Sequence, residues 1–381
     1  MGASHSASSS RHPQSASAAL AVPSSVAGAT IFGSVRHQLP RLTTQGYSRD
    51  VLSQLSLSRV ASSNRTYESK WKLFAFYCSS RDIDPFTARP AQVADFLFWV
   101  ARTRGASLST LAGYRSALGH VLRLTTGYCP GTCPVLRQLM QSFKRTQPLP
   151  SNRIPSWDIN LVLATLCDPK FSDDHLSLHL LTAKAVFLLA LASGERRSAL
   201  AACAYPPTFD QDGMHVSFCR DFVPKSYFVR KNQTAILPLF IPFVSDDNSL
   251  QVCPCRTMLF YLDTVAALRS PTQRSLFIPH VAGSGRNVTP QGISRYVVHL
   301  VRWAYDVAGA ASPDCRAHDV RKIAASLRAL SGDSLLDVLQ AGQWSSPFTF
   351  LKHYFVSLDA PTNPARQAMC VAGRSMSTFS F

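Results

Sequence analysis

The chain has 381 residues, and its 39 Lys+Arg against 22 Asp+Glu leave a formal charge of +17 at a pI near 9.8. That length suits two domains and a tail, and the charge excess points to a polyanionic partner. The basic residues are spread through the chain rather than massed in one run, which favours nucleic acid over a bilayer surface. The longest clean apolar run, AVFLLALA from Ala185 to Ala192, falls far short of the roughly 18 residues a membrane crossing needs, so no membrane span is expected.

The first 48 residues contain no acidic side chain and are dominated by Ser and Ala, so residues 1–48 are expected to be a disordered tail. Its opening MGASHS fits a myristoylation pattern of low specificity, and Pro23 and the serines argue against a signal peptide. Order is expected from about Arg49. SSNRTYESKWKLFAFYCSSR places Tyr67, Trp71, Phe74 and Cys78 at helical spacing, and ARPAQVADFLFWVARTRG does the same with Val93, Phe96, Leu97 and Val100 before Gly105. SLSTLAGYRSALGHVLRLTTG reads as a third helix. These define an all-helical domain over 49–147, closed by a basic, proline-bearing stretch, SFKRTQPLPSNRIPS, with the linker placed at 148–156.

From Trp157 the pattern changes. Helices are expected over Ile159–Leu166 and Leu176–Ala192. DGMHVSFCRDFVPKSYFVRKNQTAILPLFIPF, rich in β-branched and aromatic residues, reads as short antiparallel strands. Further helices are expected over Arg256–Leu268, Gly292–Ala308, His318–Leu330, Ser334–Gln340 and Pro347–Tyr354. The whole is mainly α with a small antiparallel sheet, an α+β second domain over 157–365 and a tail at 366–381. The ten cysteines include two close pairs, Cys129/Cys133 and Cys253/Cys255. Neither has a second pair at zinc-ligand spacing, so no metal site is expected, and the cysteines read as reduced thiols of an intracellular protein.

Five places in the second domain carry polar side chains that packing does not require. In SGERRSAL, Arg196 and Arg197 start a helix after Ser193-Gly194, an arrangement suited to a phosphate and equally to a solvated surface pair. Lys225 lies near a turn between strands, with Lys231 as the competing choice. In AHDVRKIAASLRAL, His318 and Arg321 stand at i and i+3 and project together from the first helical turn. Cations there oppose the helix dipole, so something anionic is expected to compensate them. In QAGQWSSPFTFLKHYF, Gly342 ends a helix before Trp344, Ser345 or Ser346 caps the next, and Tyr354 follows Trp344 by ten positions. Taken singly, such aromatics are usually core.

In the order Arg, Lys, His-x-x-Arg, Trp, Tyr, these residues resemble the active site of the tyrosine recombinases, the phage-integrase type of site-specific recombinase. The resemblance runs over about 49–365, with SNRTYESKWKLFAFYC and SLSTLAGYRSALG similar to the family's core-binding domain. The phrases SGERRSAL, HDVRKIAAS and WSSPFTFLKHY are most similar to recombinases of eukaryotic DIRS-type retrotransposons and Crypton-type transposons. The resemblance implies an all-helical SAM-like core-binding domain followed by an α+β DNA breaking-rejoining domain. It implies attack by Tyr354 on a DNA phosphate, a 3′-phosphotyrosyl bond, a clamp of Arg196 and Arg321, Lys225 as general acid, His318 as proton acceptor and Trp344 as indole donor or packing group. It also implies double-stranded DNA as partner, a homotetramer on two DNA sites, a nuclear location and no cofactor. Arg115, Lys144 and Arg145 are the expected DNA contacts of the first domain. Two departures stand out. Ala199 occupies the place where the family commonly has an acid, and the Trp344 to Tyr354 spacing is one longer than in many bacterial members. A domesticated, non-catalytic DNA-binding protein is the alternative; the type IB topoisomerases share the tyrosine chemistry but match the Trp-to-Tyr phrase less well.

Overall fold

A computed structural model describes residues 61–147, 155–224, 238–244, 247–279, 285–342, 344 and 346–356, with a few isolated positions before 61. The expected disordered tail, most of the linker, the C-terminal tail and both Lys225 and Lys231 fall outside the described residues. The chain divides into two compact units, Met1–Pro150 and Ser151–Phe381. The described residues are mainly helical with a small antiparallel sheet.

The first unit contains α1 (Ala61–Ser79), α2 (Pro90–Arg104), α3 (Leu108–Thr126) and α4 (Pro134–Thr146). Of the residues expected from helical spacing, Trp71, Phe74, Cys78, Val93, Phe96, Leu97 and Val100 are buried, while Tyr67 is only half-buried; Leu111, Leu118 and Leu122 of α3 complete the core. Ser107 caps α3 by accepting from the Thr110 amide, and Gly105 and Gly127 end α2 and α3 in the left-handed region. Helix α4 was not expected from the sequence. Leu136, Met140 and Phe143 recur on one face and are buried, and Pro134 occupies its first turn. Lys144 and Arg145 therefore sit exposed in the last turn of a helix, where they complement its dipole, and not in a linker. Arg115 lies half-buried on α3.

The second unit is organised around α6 (Leu178–Ser193), every residue of which from Leu180 to Ser193 is buried. A helix apolar on all sides has no solvent face, and α6 is packed by α8 (Pro254–Val265), α9 (Pro290–Val307) and α10 (Ala317–Leu330). One charge lies inside this sheath: Lys184, with no exposed surface, pairs with Asp173 at 2.8 Å, and Thr257 Oγ1 donates to the same carboxylate at 3.1 Å. Helix α5 (Ile159–Cys167) packs against α9, and the four-residue α7 (Arg197–Leu200) follows α6. The sheet has the order β1 (Thr208–Phe209), β2 (Gly213–Val216), β3 (Leu239–Pro242), antiparallel throughout, with Met214 opposite Ile241. Gly213 is required there because a Cβ would run into the backbone of Ile241. Two short helices, α11 (Leu335–Ala341) and α12 (Pro347–His353), complete the unit. No helix among the described residues is long and apolar enough to cross a membrane.

Candidate active site

Helix α10 begins with Arg316 as N-cap, and Asp319 reaches back to accept from the Arg316 amide at 2.9 Å. The cations of the first turn are thus partly compensated by the chain's own carboxylate. Below that turn, Val320, Ile323, Ala324 and Leu327 are buried and fix the helix in place. His318 and Arg321 share this helix but not one environment. His318 is exposed, whereas Arg321 is only 2% exposed.

The guanidinium of Arg321 is turned inward. Its Nη1 donates to the carbonyl of Gly194 and its Nη2 to the carbonyl of Gly342. Both are C-cap residues, Gly194 of α6 and Gly342 of α11. The last carbonyls of a helix lack intrahelical donors and carry its negative pole, so a planar cation between two such ends satisfies both. The sequence reading had Arg321 projecting outward beside His318; the two helix ends are what draw it in. Its Nε remains buried without an acceptor. Burial lowers the Arg321 pKa, and the nearby charge of Arg196 adds to this while Glu195 opposes it.

Two aromatic rings close around this cation, and a third meets one of them. The Arg321 guanidinium carbon lies 4.6 Å from the Trp344 ring centroid and 5.4 Å from that of Tyr354. Trp344 and Tyr354 are 4.7 Å apart, and His318 meets Tyr354 edge-on at 5.3 Å. Trp344 is buried together with Val338, Leu339 and Phe350, while Tyr354 is half-buried. The indole N–H of Trp344 is a second buried donor with no acceptor. Gly342 is needed beneath it, because a Cβ there would fall inside the indole ring. Ser346, not Ser345, caps α12 by accepting from the Thr349 amide at 3.3 Å, and Pro347 holds the first turn. Tyr354 follows as the C-cap, its amide donating to Phe350 O at 2.8 Å.

The two arginines of SGERRSAL separate in role. Arg197 is exposed and donates to Ser294 Oγ at 3.1 Å, tying it to α9. Arg196 is half-buried, and its charge reaches both His318 and Arg321. Although His318 keeps one side open to water, its ring packs against Tyr354. This partial desolvation pushes its pKa down to about 4, with the charges of Arg321, Lys322 and Arg196 pushing the same way. At neutral pH the ring is therefore uncharged and able to accept a proton.

The structure thus brings together Arg196, His318, Arg321, Trp344 and Tyr354 of the second unit; Arg115, Lys144 and Arg145 lie in the first. One participant was missed in the sequence. Glu195 is 5% exposed, accepts from the Arg196 amide at 3.1 Å and interacts with the charge of Arg321. Burial raises its pKa, against the pull of the two arginines. It stands next to the arginine that was noticed, four positions before Ala199. Among the described residues no group of three or more His, Cys, Asp or Glu side chains is placed to hold a metal ion.

No family model and no curated protein sequence matches the chain. Among solved structures, similar ones include lambda integrase residues 75–356 bound to DNA, at 13% identity and TM-score 0.46, covering 91% of this chain and 98% of that one. XerH site-specific recombinase bound to a palindromic difH substrate gives 16%, 0.49, and 76% of each chain. The Tn1549 transposon integrase in complex with transposon right end DNA gives 12%, 0.47, and 89% and 99%. At such identities and scores the functional reading rests on the side chains of the site itself.

Proposed function

We propose that the chain is a site-specific DNA recombinase that breaks and rejoins strands through a covalent bond between Tyr354 and a DNA phosphate. The observation that carries this reading is the meeting at Tyr354 of the rings of His318 and Trp344 and the guanidinium of Arg321, with the charge of Arg196 alongside. A lone aromatic cluster needs no cations, and a surface cation cluster needs no phenol. Their union suits a phosphodiester, which requires a nucleophile, positive charge at the non-bridging oxygens and a proton path.

The phenol oxygen attacks phosphorus as its proton passes to the neutral imidazole of His318. The bond to the 5′-oxygen breaks, and that oxygen takes a proton from Lys225 or Lys231. The resulting 3′-phosphotyrosyl ester keeps the energy of the broken bond, so rejoining needs no ATP. Arg196 and Arg321 balance the charge of the transition state, where losing one preorganised donor costs about 3 to 4 kcal/mol. Arg321 Nε and the Trp344 indole N–H, both without an acceptor, each gain one when a phosphate oxygen enters.

Arg115, Lys144 and Arg145 supply phosphate contacts from a core-binding domain over 49–147, and the catalytic domain spans 157–365. Such contacts hold the duplex without reading its sequence. The phrases SGERRSAL and WSSPFTFLKHY favour an enzyme of a eukaryotic mobile element, acting in the nucleus as a tetramer on two DNA sites. The lambda, XerH and Tn1549 proteins, solved with DNA or a DNA substrate, are in keeping with that partner.

A DNA substrate nicked beside the cleavage point tests the proposal, because it releases the leaving strand and traps the covalent complex. The wild-type chain is expected to give a DNA adduct that survives denaturation. Tyr354→Phe is expected to give none while binding DNA within about three-fold, since one hydroxyl adds little to an interface of many phosphates. Binding without any wild-type adduct favours the non-catalytic alternative, and equal adduct from Tyr354→Phe removes the nucleophile from Tyr354.

A further inference from the structure

The segment that carries Tyr354 is held from two sides, and one of the holding groups has no part in the chemistry described above. On one side the amides of Tyr354 and Phe355 donate to Phe350 O, at 2.8 and 3.0 Å, which ties the segment to α12. On the other, Ser326 in the third turn of α10 donates its hydroxyl to Tyr354 O at 3.2 Å and accepts from the Val356 amide at 2.9 Å. Ser326 has no exposed surface, and the Val356 side chain is buried as well.

Serine within a helix usually turns its hydroxyl onto a carbonyl of its own preceding turn, and it is a poorer helix former than alanine. Here the hydroxyl leaves its own helix and closes a two-bond grip on a segment about 30 positions later. It uses its single donor and one acceptor site on the residues that count, the carbonyl of the tyrosine and the amide two residues on. The same helix carries His318 and Arg321, so the grip sets the distance between Tyr354 and its proton acceptor and cation within one chain.

We propose that Ser326 is a positioning residue for strand cleavage, holding the backbone of Tyr354 against helix α10 so that its phenol stays in register with His318 and Arg321. This rests on the recombinase reading above. A hydroxyl buried only to satisfy the fold has the same bonds but no bearing on the rate of attack. The two roles therefore separate in the cleavage step rather than in DNA binding. Misplacing a reacting group by the order of 1 Å can cost about a hundred-fold in rate, whereas the phosphate contacts that hold DNA lie elsewhere.

The test uses the full chain and the nicked substrate at saturating DNA, with three readouts: rate of adduct formation, DNA affinity and hydrogen exchange at the Val356 amide. Ser326→Ala, which keeps the helix, is expected to slow adduct formation about ten-fold or more, to leave affinity within about two-fold, and to lose protection at Val356. Ser326→Thr, which keeps the hydroxyl, is expected to recover most of the rate and the protection. Adduct formation by Ser326→Ala at the wild-type rate overturns the inference and leaves the recombinase reading intact. Equal slowing by Ala and Thr also overturns it, because the hydroxyl is then not the cause. If the wild-type chain gives no adduct, the recombinase reading fails and the inference falls with it.

Discussion

Replacing Arg321 with methionine keeps most of the side-chain volume and removes the fork that joins two helix ends. The carbonyl of Gly342 is buried and loses its donor, a cost of about 1 to 3 kcal/mol. The carbonyl of Gly194 is only partly buried and can turn to water, so its loss falls at the low end of that range. The cation over the Trp344 ring contributes about 1 to 2 kcal/mol more in a desolvated place. Against these stands the relief of no longer burying a charge, and Glu195, whose pKa is already raised, can neutralise itself by taking a proton. The net expectation is about 3 kcal/mol of destabilisation in a unit whose whole stability is of the order of 5 to 15 kcal/mol. Urea unfolding followed by helical circular dichroism measures it: with a slope of about 2 kcal/mol/M, the transition of the second unit moves down by roughly 1.5 M. Arg321→Lys, with a compact charge in place of a planar fork, falls between the two. A midpoint within about 0.3 M of wild type for Arg321→Met refutes the claim that this side chain ties the two turns together.

Gly342→Ala places a methyl group inside the Trp344 ring, so the indole must move. Overpacking of this kind costs about 1 to 3 kcal/mol, and the expected outcome is a lower melting temperature together with adduct formation reduced more than DNA affinity; unchanged melting contradicts the packing described. His318 binds its proton less readily in the fold than in the unfolded chain. Between the ordinary value near 6.5 and about 4 the unfolded state therefore takes up the extra proton, and this residue's contribution to stability declines as pH falls through that window. Nuclear magnetic resonance titration of the His318 ring is expected to show a midpoint well below 6.5; a midpoint at or above 6.5 contradicts the desolvation described, and one well above 7 leaves the ring mostly protonated at pH 7, without a base for the tyrosine proton.

Several parts of this site were legible in the sequence for physical reasons. The i, i+3 spacing puts His318 and Arg321 on one helix whatever the rest of the chain does, and Ser346-Pro347 starts a helix that must deliver Tyr354 near its end. The inward turn of Arg321 was not legible, because it answers to carbonyls 127 and 21 positions away whose direction depends on where two other helices stop. Glu195 escaped notice because an acid beside two arginines in a turn looks like solvated surface until α6 is known to end in the interior. In the first unit, Leu136, Met140 and Phe143 carried the signal for α4. The basic residues and prolines that follow them read as a linker, so the stretch inside the expected 49–147 domain was not recognised as a helix. The grip of Ser326 had no local signature at all, since nothing in IAASLR distinguishes a serine that holds a distant strand of chain from one that faces its own turn.

The enclosure of α6 has a mechanical consequence. A helix with neighbours on every side cannot slide or tilt without disturbing all of them, so its end at Gly194 is a stationary post, and Arg321 is moored to it. Helix α12, by contrast, is two turns long and turns Phe348 and Leu351 to water. On the recombinase reading, any adjustment that admits DNA therefore falls to the exposed face of α12, while the Tyr354 backbone, tied to α10 through Ser326, keeps its place beside the moored cation.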